Sequence, residues 1–228
     1  MRLLFRYLLC FFLVGFSLLV ATALAATKPH VITFGKWIAV KSSSPDQSGA
    51  EELKVRAMYV DGRLKEFTFG IPHEVTEQLF VVRRVVRVND MLPQETASNP
   101  RWSWQRGGWL VTDRVTGHIS QAKLPEFDPD SSPVSWYRDY VAYCGISDDG
   151  RKLSAVVMQL GRRKPILKKP LGEAAGEEIS DTECAPPGWQ RAPTRVSFVS
   201  KGDQKITFVV RGHGVELVAD DDPEEGTD

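Results

Sequence analysis

The sequence predicts an all-β protein: a single antiparallel β-rich domain, built as a meander, a sandwich or a partial propeller, behind an N-terminal signal peptide. Three observations carry this expectation. Short segments rich in β-branched and aromatic residues recur along the whole chain. Turn pairs containing glycine, Asp61-Gly62, Gly107-Gly108, Asp149-Gly150 and Gly202-Asp203, stand between them and suit the positive backbone angles of tight hairpins. Long helical periodicity is missing, and only His73 to Leu79, after Pro72, predicts a short helix.

The chain begins with Arg2 and Arg6, followed by an apolar run from Tyr7 to Val20 and then Ala23-Leu24-Ala25. A positive start, an apolar stretch and a small-x-small ending make a secretory signal peptide, with cleavage expected after Ala25. The competing reading is an uncleaved anchor, since Tyr7 to Ala26 is about long enough to span a bilayer. Cys10 lies inside the apolar run and leaves with it. The expected organisation is therefore residues 1–25 as signal peptide, 26–219 as the β-rich domain, and 220–228 as a disordered acidic tail. The expected location is periplasmic or extracellular.

Composition excludes some classes. Of 228 residues, 42% are hydrophobic and 25% charged, ordinary values for a globular domain. Basic and acidic residues number 29 each, and losing Arg2 and Arg6 leaves the mature chain slightly acidic. A nucleic-acid partner would call for a strongly basic domain, so none is expected. Contact with a membrane is expected only transiently, through the signal peptide. Arg151, Lys152, Arg162, Arg163, Lys164, Lys168 and Lys169 form a basic stretch, balanced by the acidic segment that follows it.

Export also changes the cysteine arithmetic. Cys144 and Cys184 remain as a pair, which in an oxidising compartment predicts one disulfide. The chain-entropy argument gives a loop of this length about 4 kcal/mol.

The strands are expected at Val31 to Val40, Lys54 to Val60, Leu64 to Phe69, Leu79 to Val88, Trp102 to Gln105 and Trp109 to Val115. Further ones follow at Tyr137 to Cys144, Leu153 to Leu160, Arg195 to Val199, Lys205 to Val210 and Val215 to Val218. Linkers are expected at Ser42 to Gly49, Asn89 to Pro100, Pro125 to Pro133 and Pro170 to Gly188. Gly62, Gly108, Gly150 and Gly202 recur at intervals near those of propeller blades. Residues 147–157 (SDDGRKLSAVV) and Trp109 to Ile119, with Asp113 and Thr116-Gly117, resemble hairpins of WD40 and TolB-like β-propeller blades. The resemblance implies a toroidal binding scaffold and no particular chemistry.

Motifs for catalysis are sparse. No GxSxG, HExxH, P-loop or dinucleotide pattern occurs. His30, His73, His118 and His213 lack ligand spacing. Asp128, Asp130, Ser132 and Asp139 have the offsets of a calcium loop, but Pro133 stands where the loop needs glycine. Ser120 and Lys123 fit a nucleophile–base spacing that requires a helix, whereas their surroundings read as strand. No metal or cofactor is expected, and no catalytic residue is assigned. The dense feature is aromatic: Trp102, Trp104, Trp109, Trp136, Tyr137, Tyr140 and Tyr143. Trp102 and Trp104 share one strand face, in a pattern that suits a buried pair. Arg83 and Arg87 share a face, with Arg84 on the other. Trp102, Trp104, Trp109, Trp136, Tyr137, Arg83 and Arg87 are thus the candidate binding surface. The expected function is a non-enzymatic binding or assembly module for an envelope protein or glycan. The alternative is a small secreted hydrolase using residues such as His73, His118 and Asp113.

Overall fold

The computed structural model describes residues 28–42, 52–89, 102–173, 184–199, 205–212 and 214–217. The expected signal peptide and acidic tail lie outside these residues. Fifteen strands form three antiparallel sheets, none of them closed, and no helix occurs among the described residues.

The first sheet contains β1 (Ile32–Phe34), β2 (Ile38–Lys41), β3 (Glu52–Val60), β4 (Arg63–Glu74), β5 (Leu79–Asn89), β6 (Trp102–Asp113) and β7 (Ile119–Gln121). The order is β1-β3-β4-β5-β6-β7, with β2 beside β1 along the same edge of β3. The expected strand at Val31 to Val40 is thus two pieces, parted at Gly35. Its amide still bonds the Ala57 carbonyl at 2.8 Å. Asp61 and Gly62, at φ 51° and 75°, make the two-residue turn between β3 and β4.

Two sequence expectations fail on this sheet. Gly107-Gly108 is no hairpin tip but lies inside β6, where the pairing with β5 slips between Arg83 and Val85. It is a β-bulge, where glycine fits closely: a Cβ on Gly107 would sit 3.2 Å from the Arg84 carbonyl oxygen, so the neighbouring strand would have to yield. The regular spacing of turns therefore loses its second member. His73 to Leu79 is not helical either: His73 and Glu74 finish β4, paired with Val81 and Phe80. The Thr76 hydroxyl accepts the Leu79 amide at 3.0 Å to turn the chain.

The second sheet is a meander of β8 (Val134–Tyr137), β9 (Tyr140–Ile146), β10 (Lys152–Gln159) and β11 (Leu167–Glu173). The expected strand at Tyr137 to Cys144 is instead the β8–β9 hairpin, turning at Arg138 with φ 53°. The SDDG hairpin forms as expected between β9 and β10. The Asp149 carboxylate accepts the Arg151 amide and the Gly150 amide bonds the Ser147 carbonyl. The third sheet is a second meander, β12 (Gly188–Arg191), β13 (Thr194–Val199), β14 (Lys205–Arg211) and β15 (Gly214–Leu217).

Packing follows from side-chain alternation. Ala142, Cys144, Ala155 and Val157 on one face of the second sheet meet Val196, Phe198, Phe208 and Val210 of the third. Val141, Tyr143, Val156 and Met158 on its other face pack under Leu124 and Phe127 of the connecting loop and beside Trp136. Cys144 and Cys184 are joined as a disulfide, with Cα atoms 6.5 Å apart, within the normal span. The bond ties β9 to the segment leading into β12.

Candidate functional site

The structure divides the seven candidate residues into three places. Arg83 and Trp109 pair across β5 and β6 and enter a cleft of about 340 Å³ beneath the loop Pro129–Val134. Phe69 and Arg106 share this cleft. Arg83 is only 9% exposed. Its Nε donates to the Gly107 carbonyl at 2.7 Å, and Nη2 donates to the Pro129 carbonyl. The Phe127 ring lies 4.8 Å from the guanidinium carbon. Burial, and after it the nearby Arg106, lower the Arg83 pKa to about 10. Arg83 therefore fastens the loop to the glycine bulge, a cation satisfied by carbonyls instead of a free anion grip.

Trp109 meets Trp136 edge-on with centroids 5.4 Å apart, and Trp136 stacks on His73 at 5.9 Å. Tyr137 stacks on Trp189 at 5.5 Å, and the Trp189 indole donates to the Ser135 carbonyl at 3.2 Å. These rings join sheets: the first to the second through Trp109 and Trp136, the second to the third through Tyr137 and Trp189.

The third place is open to solvent. Arg87 is exposed and lies with its guanidinium carbon 4.5 Å from the Trp102 ring centre and 5.9 Å from that of Trp104. Trp102 is 48% exposed, so the pair is not buried as its alternation suggested. Trp104 is half-buried and meets Phe67 edge-on at 5.0 Å. The result is a ladder of two indoles and one guanidinium on the paired ends of β5 and β6, apolar faces beside a planar cation. Arg84, on the opposite face, pairs with Glu66 at 2.9 Å across β4 and β5, the ordinary cross-strand use of a charge.

The residues of the alternative hydrolase reading are occupied elsewhere. His73 Nε2 bonds the Arg138 carbonyl at 2.8 Å. Asp113 accepts the Thr116 and Val115 amides at 3.2 and 2.7 Å, which hold its carboxyl below the usual range and shape the turn before β7. His118 gives its backbone carbonyl to the Asp113 amide at 3.0 Å. His73 and Asp113 stand two strands apart, about 10 Å, and no hydrogen bond joins the three side chains. The Asp128 carboxylate caps its own turn through the Asp130 and Ser131 amides. No group of three His, Cys, Asp or Glu side chains fit to hold a metal occurs among the described residues. Ser120 lies in β7, opposite Val111, without the helix that its spacing to Lys123 would require.

A second exposed surface, not foreseen from the residues, crosses β2, β3 and β4. Trp37, Ile38 and Ile71 are 45%, 47% and 87% exposed there. The missed signal is Gly70-Ile71-Pro72: Gly70 takes φ 72° and the β4–β5 pairing lapses between Phe69 and His73. Ile71 lies in that lapse.

No family model, curated protein or solved structure matches the chain.

Proposed function

We propose that this protein is an exported binding or assembly module without catalysis of its own, recognising a protein or glycan of the cell envelope. The observation that carries the reading is the solvent-facing pair of Trp102 and Arg87, with the half-buried Trp104 beside them. Trp104 lends part of its ring to the cluster of Leu53, Val55 and Val85, while Trp102 is 48% exposed, so the open faces of these indoles cost solvation without adding to that core. Held flat beside a guanidinium, they suit the apolar face of a sugar ring or the aromatic anchor of a protein partner. The paired cysteines and the N-terminal apolar run support export, since disulfides persist in oxidising compartments.

The test is retention of the purified protein on isolated envelope fractions and on a glycan array, wild type against Trp102→Ala and Arg87→Ala. Retention lost in both variants, with unchanged thermal unfolding, supports the reading. Retention equal in all three proteins refutes it.

A further inference from the structure

A different corner of the first sheet carries a second surface, independent of the Trp102 ladder. Trp37, Ile38, Ala39, Lys54, Gly70 and Ile71 line an open trough of about 550 Å³. The trough crosses β2, β3 and β4 at the start of β2. The chain leaves the other end of β2 at Ser42, which bridges Trp104 of β6, and among the described residues β2 itself pairs only with β3. Contiguous exposed apolar groups of this kind mark a contact surface.

The charge around the trough selects the occupant. Residues 28–41 contain Lys28, Lys36 and Lys41 and no acid. Lys36, Lys41 and Lys54 are all exposed. The nearest exposed carboxylate on the neighbouring strand, Glu52, stands opposite Lys41 at the far end of β2. Pairing of this edge with a second copy would set lysines against lysines, the arrangement by which proteins discourage edge-to-edge association. An anionic surface faces no such repulsion. Trp37 also has the chemistry of an interfacial residue, an amphipathic ring held in place by the Arg56 guanidinium 4.3 Å from its centre. Ile71 is more exposed than Trp37 or Ile38, at 87%, beside Gly70 at φ 72° where the β4–β5 pairing lapses.

We infer that this edge docks on a bilayer containing anionic phospholipid: Trp37, Ile38 and Ile71 enter the headgroup–acyl boundary, and Lys36 and Lys54 meet the lipid phosphates. Apolar insertion and electrostatic attraction then act together, as in other peripheral contacts.

The experiment is co-sedimentation of the chain, purified from a secreting host, with vesicles of phosphatidylglycerol in phosphatidylcholine and with phosphatidylcholine alone. Binding is expected on the anionic vesicles, weakening as salt is raised. Ile71→Ser with Trp37→Ser should lower the partition coefficient by roughly tenfold or more, and Lys54→Glu by roughly fivefold or more. Ile71→Ser alone, at a side chain 87% exposed, guards against misfolding in the double variant and should weaken binding in the same direction. No binding to anionic vesicles at low salt overturns the inference. So does binding that these variants leave unchanged, which would place the contact elsewhere on the chain. Self-association abolished by the Trp37 variant, without lipid binding, would assign the edge to a second copy. Envelope retention through Trp102 would survive each of these failures, so the two proposals fall separately.

Discussion

The second sheet and the first sheet obey the same strand chemistry and end in opposite relations to solvent. In β9, Val141 to Gly145 are all buried, and in β10 so are Leu153 to Met158, because both faces of the second sheet are covered. In the first sheet β2 is exposed at Trp37's neighbour Ile38 and at Ala39, and β3 alternates at its start. Of the large hydrophobic side chains left exposed among the described residues, Val31, Trp37, Ile38, Leu64, Ile71 and Trp102 lie in or beside the first sheet, and Leu217 lies in the third. The first sheet has cores of its own, around Met58, Phe80 and Val82 and around Val55 and Val85. What distinguishes it is that it also carries most of the exposed apolar side chains, whereas the second sheet has a buried face on each side.

That contrast is broken most severely at the sheet–sheet core. Phe198 is fully buried and meets Phe208 edge-on at 6.2 Å. Phe198→Ala should cost about 4 kcal/mol by lost transfer energy and an unfilled cavity, read from urea unfolding. Leu64→Ser on the first sheet, where Leu64 is 50% exposed, should change stability by under about 0.5 kcal/mol. Equal costs at the two sites would remove the comparison.

The disulfide comes next. Replacing Cys144 and Cys184 by alanine should destabilise by about 2 to 4 kcal/mol, the upper end being the chain-entropy figure for a closed loop with a sequence separation of 40 residues. Reductant should lower the urea midpoint of the wild type and leave the variant unmoved. Arg83→Lys should cost about 2 kcal/mol, because an ammonium cannot reproduce the planar fork that reaches the Gly107 and Pro129 carbonyls together. Faster amide exchange confined to residues 125–133 would show that the loop is what Arg83 secures.

How much of this was legible follows from which residues carry their own information. LSAVVM announced itself as β10, an apolar run buried on both faces, whereas the strand expected from Tyr137 to Cys144 hid the turn at Arg138 and so merged the end of β8 with β9. β11 and β12 did not announce themselves. LKKPLGE is an edge strand, paired on one side only with β10, so it tolerates lysines and a proline that a central strand would reject. Pro170 stands opposite Ser154, where the β10–β11 register is irregular. Gly107-Gly108 reads identically as hairpin or bulge, and only the packing against Arg84 decides. Of the candidate surface, alternation correctly put Trp102 and Trp104 on one face, under Arg87. Whether that face was covered depended on what lies opposite, which local spacing does not encode. Arg83 and Arg87 likewise shared a face, yet one is sealed beneath a distant loop and the other is open to water.

The smallest expected effect sharpens the contrast from the exposed side. Arg114 grips Glu74 through both carboxylate oxygens, at 2.7 and 2.8 Å, and this bond holds the Glu74 carboxyl below its ordinary value. A carboxylate depressed in the folded state contributes its stability above the unfolded pKa, near 4.5, and loses it as the pH falls through the folded value. Glu74 is 58% exposed, and solvent screening keeps such a pair under about 1 kcal/mol. The difference in unfolding free energy between wild type and Glu74→Gln should therefore be small and constant at neutral pH, and should shrink as the pH falls below about 4.5. Thermal unfolding across that range measures it. Phe198→Ala, whose cost is apolar, should show a deficit that does not vary over the same interval, so the two sheets would be told apart by pH as well as by magnitude.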